Sequence, residues 1–151
     1  GGLTCDAVVP GQCGKVPSDW AMWSVGGMGS FSVVDDLVVS DANSHLFWQK
    51  GASPTPLTWQ QAIDYCRNNV PGLAGQNWRL PQRIELLSIL DYSRREPAVF
   101  PIFVDSTPSD GFWTATVAAG KVGGVWYVSF IAGGGHVGDT KVNKFHARCV
   151  R

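Results

Sequence analysis

Four cysteines, spread over almost the whole chain, constrain the fold more than any other feature of this sequence. Cys5, Cys13, Cys66 and Cys149 permit three pairings, and no spacing between them is the CxxC of a zinc ribbon or redox motif. An even number of widely spaced cysteines favours disulfides, which persist in oxidising compartments. We therefore expect an extracellular, cell-surface or periplasmic protein. The alternative, four buried thiols in a cytosolic protein, is disfavoured because Cys5 and Cys13 lie in a Gly/Pro-rich segment with little core around it.

The length and composition indicate one compact domain with many turns. The chain has 151 residues, 44% of them hydrophobic and only 16% charged, with 18 glycines and nine prolines. This composition is typical of short strands, long loops and few helices. The formal net charge is zero, so the sequence requires neither nucleic acid nor an acidic polymer as a partner, and we expect no nucleic-acid binding.

Membrane insertion is not expected either. The longest apolar stretch, "VGGVWYVSFIAGGG", is interrupted by Gly and Ser and is shorter than the roughly 18 residues that a membrane-spanning helix needs. It predicts a strand with its flanking turns. The chain begins "GGLTC" without Met, which fits a processed export precursor or a shortened chain.

The first third of the sequence predicts an appended arm and then two strands. Residues 1–28 are turn-rich and predict an irregular N-terminal arm, with Trp20 and Trp23 packed against the body of the protein. One domain is expected over residues 29–151. It begins with β-forming residues from Phe31 to Val39, which predict one strand, followed by the turn "SDANS" and a second strand, "HLFWQK".

The segment "LTWQQAIDYCRN" contains the start of a helix. Thr58 can cap the free backbone amides, and Gln61 three residues later completes a capping box. Trp59, Ile63 and Cys66 then share one helix face. This face is expected to turn Cys66 toward the core.

The segment "NWRLPQRIELLSILDYSR" predicts a joint between a loop and a second helix. Trp78 is expected to be an apolar anchor, and Arg79 to bond to backbone carbonyls or a carboxylate. We interpret both as architectural, with ligand contact as the alternative. The helix is expected to begin at Pro81, whose fixed φ suits a first turn. Its predicted buried stripe consists of Ile84, Leu87 and Leu90.

The final third of the sequence predicts β-structure after a long connection. No helical period is visible between Arg94 and Asp110. The segments "GFWTAT", "GGVWYVSF" and "KFHARCVR" then predict strands, and "VAAGKVGG" and "IAGGGHVGDTKVN" predict the loops between them. The order of elements, two strands, two helices, a loop and further strands, indicates an α+β fold.

Several of these segments occur in the same order in a known family. "DDLVVSDANSHLFWQK", "LTWQQAIDYC", "NWRLPQRIELLSILDYSR", "FWTAT", "VWYVSF" and "ARCVR" resemble the successive motifs of the Lcl C-terminal-like domain, a former domain of unknown function. The resemblance covers roughly residues 29–151. It implies a C-type-lectin-like fold with two helices, short antiparallel strands and long loops, in exported bacterial proteins with attachment or recognition roles. It also implies a disulfide between Cys66 and Cys149, which leaves Cys5 and Cys13 as the second pair.

The sequence offers no motif for catalysis or metal binding. A "GxSxG" elbow is absent, and the spacing of His136, Asp139 and His146 is not diagnostic of a metal site. Calcium-binding lectins of the implied fold carry an EPN or QPD triplet and a WND triplet, whereas this chain has "EPA" at 96–98 and "WYV" at 126–128. Formylglycine-generating relatives use reactive cysteines near the C-terminus, where this chain has Cys149 alone. We expect no catalytic residue, no metal and no cofactor.

The C-terminal loops are the predicted ligand-binding surface, because loops on a rigid scaffold commonly carry recognition. The candidate ligand-binding residues are Trp113, Lys121, His136, Asp139, Lys141, Lys144 and His146. The cationic members, joined by Arg94 and Arg95 as further candidates, are consistent with a modest basic patch for acidic or sulfated glycans, and the alternative is an ordinary solvated face. Stacking on sugar rings is predicted for Trp113 and for either Trp126 or Tyr127, which strand alternation places on opposite faces.

The expected function is recognition rather than catalysis: an exported adhesion module that binds a glycan or a protein on a cell or matrix surface. A structural alternative is a domain that assembles with copies of itself or caps a larger surface protein. A third, less favoured alternative is an enzyme of the formylglycine-generating type.

Overall fold

The computed structural model describes residues 30–131 and 133–151, and this part of the chain has an α+β fold. Its elements in chain order are β1 (Phe31–Val33), β2 (Val38–Asp41), β3 (Phe47–Gln49), α1 (Trp59–Arg67), α2 (Arg83–Leu87), a 3-10 helix (Pro101–Ser106), β4 (Gly111–Val117), β5 (Gly124–Ser129) and β6 (Gly134–Asp139). The predicted arm and the predicted pair of Cys5 and Cys13 lie outside the described residues. No helix within the described ranges is long and apolar enough to span a bilayer.

The strands form two antiparallel sheets, which the C-terminal segment connects. The strand orders are β1-β2-β3 and β4-β5-β6. The prediction of a strand over "KFHARCVR" is wrong, because this segment forms isolated bridges with several separate segments and no continuous ladder with one partner strand. Its backbone bonds to β3 through Cys149 O and Gln49 N at 2.8 Å, and to β4 through His146 O and Trp113 N at 3.0 Å. The last residues therefore tie the two sheets together.

The single strand predicted from Phe31 to Val39 is two strands joined by a tight turn. The carboxylate Oδ1 of Asp35 accepts hydrogen bonds from Leu37 N at 2.8 Å and Val38 N at 2.9 Å. This side-chain capping of the backbone stabilises a turn over an extended conformation. β1 and β2 consequently pair with each other. The turn was not predicted from the sequence, because β-forming residues flank it on both sides.

Helix α1 confirms the predicted capping box, whereas α2 differs from its prediction. Gln61 N donates to Thr58 Oγ1 at 3.3 Å, and Thr58 N donates to Gln61 Oε1 at 3.0 Å. Helix α2 begins at Arg83, two residues after Pro81, and contains only five residues. The predicted buried stripe is wrong at Ile84, which is 78% exposed. The later start shifts the buried face to Leu86, which is fully buried.

Two segments predicted as loops contain regular structure. The stretch "IAGGGHVGDTKVN" includes β6, which pairs with β5 from Gly134 opposite Ser129 to Asp139 opposite Gly124. The connection between Arg94 and Asp110 includes the 3-10 helix, which begins with Pro101. Neither segment has a helical or alternating apolar pattern, because β6 is rich in glycine and the 3-10 helix is too short to show a period.

The implied disulfide between Cys66 and Cys149 is present and lies in the core. The two sulfur atoms are 2.06 Å apart, the Cα atoms are 5.4 Å apart, and neither residue is exposed. They belong to an apolar cluster that also includes Trp78 and Trp113. The bond thus joins α1 to the C-terminal segment inside the cluster where both sheets meet.

The joint before α2 has the architectural role that the sequence predicted. Trp78 is 4% exposed, and its indole Nε1 donates to Ala74 O at 3.3 Å. The guanidinium of Arg79 pairs with the Glu85 carboxylate through two hydrogen bonds of 2.8 and 2.6 Å. These hydrogen bonds raise the pKa of Arg79 and lower the pKa of Glu85. Trp78 and Arg79 therefore fix the start of α2 to the body of the protein.

A fully buried arginine, Arg148, holds the loops that lie between the two sheets. Its Nε donates to Gly51 O at 2.9 Å, and its Nη2 donates to Lys50 O at 3.2 Å and Thr107 Oγ1 at 2.7 Å. The ring of Phe103 lies 4.9 Å from the guanidinium carbon. Burial lowers the pKa of Arg148 to about 9, which still leaves the side chain protonated at neutral pH. The sequence analysis missed this residue, because strand alternation beside the buried Cys149 would place it outside.

Candidate recognition surface

Three stacked rings form the main aromatic feature of the sheet β4-β5-β6. Tyr127 in β5 lies opposite His136 in β6, and their ring centroids are 5.5 Å apart. Phe145 stacks on Tyr127 with a centroid distance of 4.0 Å and an interplanar angle of 23°. His136 is exposed, whereas Tyr127 and Phe145 are half-buried. These three residues, called the aromatic stack below, are all partly or fully accessible at the surface.

Two glycines make room for the aromatic stack. A Cβ at Gly111 would lie 2.6 Å from Phe145 Cδ1 and 2.9 Å from Tyr127 Cδ2. A Cβ at Gly138 would lie 3.1 Å from Phe145 Cε2 and 3.2 Å from Trp113 Cη2. The ring of Phe145 therefore packs directly against backbone, and β4 and β6 need glycine at these two positions.

Lysines flank the aromatic stack on the neighbouring turns. Lys144 precedes Phe145 and is exposed, as are Lys121 and Lys141. The turn after β6 contacts the turn before β5, because Thr140 N donates to Gly123 O at 3.0 Å. This contact places the turns that carry Lys121 and Lys141 side by side. The three lysines, called the lysine group below, make this end of the sheet basic.

Asp139 supports the turn that carries Lys141. Its Oδ1 accepts a hydrogen bond from Lys141 N at 2.8 Å, and its own N donates to Asn143 Oδ1 at 2.7 Å. One carboxylate oxygen is therefore used within the turn, so Asp139 supports the backbone that carries Lys141.

Two of the candidate residues are buried and do not belong to this surface. Trp113 is fully buried, and its Nε1 donates to Leu57 O at 2.8 Å. His146 is 7% exposed, and its Nδ1 lies 2.7 Å from Ser53 O. Both faces of β4 are covered by other parts of the chain, so strand alternation could not identify an exposed side. We therefore correct the prediction for Trp113 and His146, which are core residues.

The structure does not bring His136, Asp139 and His146 together. His136 stacks on Tyr127, Asp139 caps its own turn, and His146 bonds to the backbone of Ser53. In the described part of the chain, no group of three or more His, Cys, Asp or Glu side chains is placed to hold a metal ion.

Comparison with known protein families identifies the domain. The family model of the Lcl C-terminal domain matches residues 37–151. The chain belongs to the Lcl C-terminal domain family. No curated protein matches the chain. The matched residues of this Lcl C-terminal domain include both partners of the disulfide, the aromatic stack and the lysine group.

On the opposite face of the sheet β4-β5-β6 of this Lcl C-terminal domain, an arginine lies over a tryptophan ring. The guanidinium carbon of Arg83 lies 3.8 Å from the centroid of a Trp126 ring. Trp126 and Tyr127 therefore lie on opposite faces, as alternation predicts, and Arg83 covers part of Trp126. Sequence analysis missed Arg83 as the partner of Trp126, because 43 positions separate the two residues.

Gly111→Ala is expected to disturb the aromatic stack of this Lcl C-terminal domain. The added methyl group would collide with Phe145 and Tyr127, and overpacking of this kind lowers the free energy of unfolding by about 1–3 kcal/mol. Urea unfolding measures the stability, and near-ultraviolet circular dichroism reports the packing of the rings. Gly51→Ala is the matched control, because a Cβ at Gly51 meets nothing within 4 Å. If Gly111→Ala is as stable as Gly51→Ala, the rings do not pack against Gly111.

Proposed function

We propose that this domain is an exported, non-catalytic recognition module that binds a glycan or a protein on a cell or matrix surface. The observation that carries the proposal is the aromatic stack of Tyr127, His136 and Phe145, half-exposed on a rigid sheet and flanked by the lysine group. Tyr127 and His136 combine an apolar ring with a polar tip, Phe145 adds an apolar ring, and the lysines supply charge. Together they suit a ligand with both apolar faces and acidic groups.

The proposed fold is C-type-lectin-like, with recognition on the C-terminal part of the domain. Two features support it: the antiparallel sheets, and the disulfide that ties α1 to the C-terminal segment. The disulfide also supports a location outside the cytosol, since such bonds persist in oxidising compartments. A formylglycine-generating activity receives no support from Cys149, because its sulfur is bonded to Cys66.

The double variant Lys141→Glu/Lys144→Glu is expected to weaken binding to an acidic glycan about tenfold. Reversing two surface charges turns attraction into repulsion, and exposed charge pairs contribute about 0.2–1 kcal/mol each. Surface plasmon resonance on immobilised heparin at physiological salt measures the change in Kd. The matched control is Arg94→Glu/Arg95→Glu, which changes the net charge by the same amount in an exposed loop. This loop follows Tyr92, whose ring lies beside Gly133 before β6, whereas Lys141 follows β6. The two arginines, predicted as further members of the basic patch, therefore lie outside the lysine group.

The control variant separates a local site from general electrostatic attraction. An equal loss in both variants would show that net charge alone drives binding, and unchanged binding in the lysine variant would remove the lysine group from the site. Light scattering on the same samples examines the second candidate function, self-assembly. The exposed valines Val122 and Val142 on the two neighbouring turns favour that function, because they are 101% and 77% exposed. A stable oligomer without heparin binding would support it instead.

A further inference from the structure

A cleft with polar and apolar walls lies outside the aromatic stack and the lysine group. Its volume is about 530 Å³, within the range of small-molecule sites. The turn between β1 and β2, the Lys50–Gly51 segment and the 3-10 helix enclose it. The lining residues that matter here are Asp36, Leu37, Lys50, Gly51, Ile102 and Asp105.

The charged side chains of this cleft are available to a ligand. Within the described residues, Asp36, Asp105 and Lys50 form no ion pair and no side-chain hydrogen bond. The two carboxylates are acceptors, and the ammonium group is a donor. Leu37, which is 47% exposed, and Ile102 add apolar contact area between them. The cleft therefore offers acceptors, donors and an apolar wall within one small volume.

Hydrogen bonds connect two walls of the cleft, the 3-10 helix and the Lys50–Gly51 segment. Ser106 Oγ donates to Lys50 O at 2.7 Å, which joins the 3-10 helix to the Lys50–Gly51 segment. The buried guanidinium of Arg148 bonds to the carbonyls of both Lys50 and Gly51. These contacts hold the backbone of the cleft in one arrangement, so that a ligand meets a preformed site.

We propose that this cleft binds an uncharged polyhydroxyl ligand, namely one neutral sugar unit of a glycan. A hydroxyl group both donates and accepts, which matches the combination of Asp36, Asp105 and Lys50. The two carboxylates outnumber the single ammonium group, so the cleft disfavours sulfated and acidic sugars, while Lys50 reduces its attraction for a cationic group. The lysine group has the opposite preference. The domain therefore has two sites with different ligand chemistry, and each can fail without the other.

The test is an amide-shift NMR titration of the whole chain with glucose, galactose, mannose, fucose and N-acetylglucosamine at millimolar concentration. At least one sugar is expected to shift the amides of Leu37, Gly51 and Ser106. Asp105→Asn removes one charged acceptor without removing a hydrogen bond present in the described structure, and should raise the Kd about tenfold. Gly51→Phe should abolish the shifts, because its Cβ meets nothing within 4 Å and the ring can occupy the cleft. The double variant Lys141→Glu/Lys144→Glu should bind the sugar as the unchanged protein does.

Three results would overturn the proposal. The first is that no sugar of the panel shifts the cleft amides. The second is that the shifts map to the aromatic stack and survive in Gly51→Phe. The third is tighter binding of agmatine, a small cationic probe, than of any sugar in the panel, which would assign the cleft to a cationic ligand. None of these results depends on heparin binding, so they leave the proposed function of the lysine group to its own experiment.

Discussion

Replacing Cys66 and Cys149 by alanine is expected to remove about 4.5 kcal/mol from the free energy of unfolding. The disulfide closes a loop with a sequence separation of 83, and the loop-entropy relation for an unfolded chain gives a loss of this size. Small domains have total stabilities of about 5–15 kcal/mol, so the variant would lose much of its stability. Chemical unfolding followed by tryptophan fluorescence measures the change.

Reduction of the unchanged protein is the control for this prediction. A reductant breaks the bond without removing the two sulfur atoms from the core, so it separates the effect of the crosslink from that of truncated side chains. The reductant should lower the unfolding midpoint of the unchanged protein and should have little effect on the variant with alanine at both positions. An unchanged midpoint under reducing conditions would contradict a stabilising role for the bond.

Arg148→Met is expected to lower the free energy of unfolding by at least about 3 kcal/mol. Methionine fills part of the volume but removes three hydrogen bonds of the charged guanidinium, to Lys50 O, Gly51 O and the Thr107 hydroxyl. Hydrogen bonds to charged groups contribute about 1.5–3 kcal/mol each. Lys50 O and the Thr107 hydroxyl keep their bonds with Ser106 Oγ and Phe103 O. Urea unfolding measures the loss. Hydrogen exchange of the amides of residues 50–53 and 106–108 should also become faster, because these loops share the guanidinium as a bonding partner.

Arg67→Met controls for the same chemical change at an exposed position. Arg67 lies in the last turn of α1, where substitution should change stability by less than about 1 kcal/mol. Equal effects at the two positions would show that Arg148 contributes no more than an ordinary surface arginine. Faster exchange throughout the protein rather than in the named loops would show that its effect is general and not a local connection between loops.

The sequence predicted those parts of the fold whose chemistry is local. The capping box of Thr58 and Gln61 lies within four consecutive residues, and so it was identified correctly. The turn at Asp35 was missed because strong β-formers flank it on both sides. β6 was missed because its stability comes from pairing with β5, which its glycine-rich sequence does not reveal.

In the candidate site too, local features could be predicted from the sequence, whereas those that depend on distant parts of the chain could not. The exposure of His136 and Lys144 could be predicted, because a histidine and a lysine in a polar segment are readily recognised as surface residues. The burial of Trp113 and His146 could not be predicted, since it depends on which segments cover both faces of β4. Phe145, the central ring beside Tyr127, was missed because its partner lies 18 positions earlier in the chain. Only the pairing of the strands and the C-terminal segment brings these rings together.

The close packing of Phe145 against Gly111 and Gly138 has a consequence for the kinetics of binding. Rings that rest on backbone atoms have little rotational freedom left to lose when a ligand contacts them, so the entropy of ordering the side chains is small. Association should then depend on diffusion and charge, without a slow conformational step. Differences in residence time between ligands would accordingly reflect how well each one fits Phe145 and Tyr127 in the positions that this packing gives them.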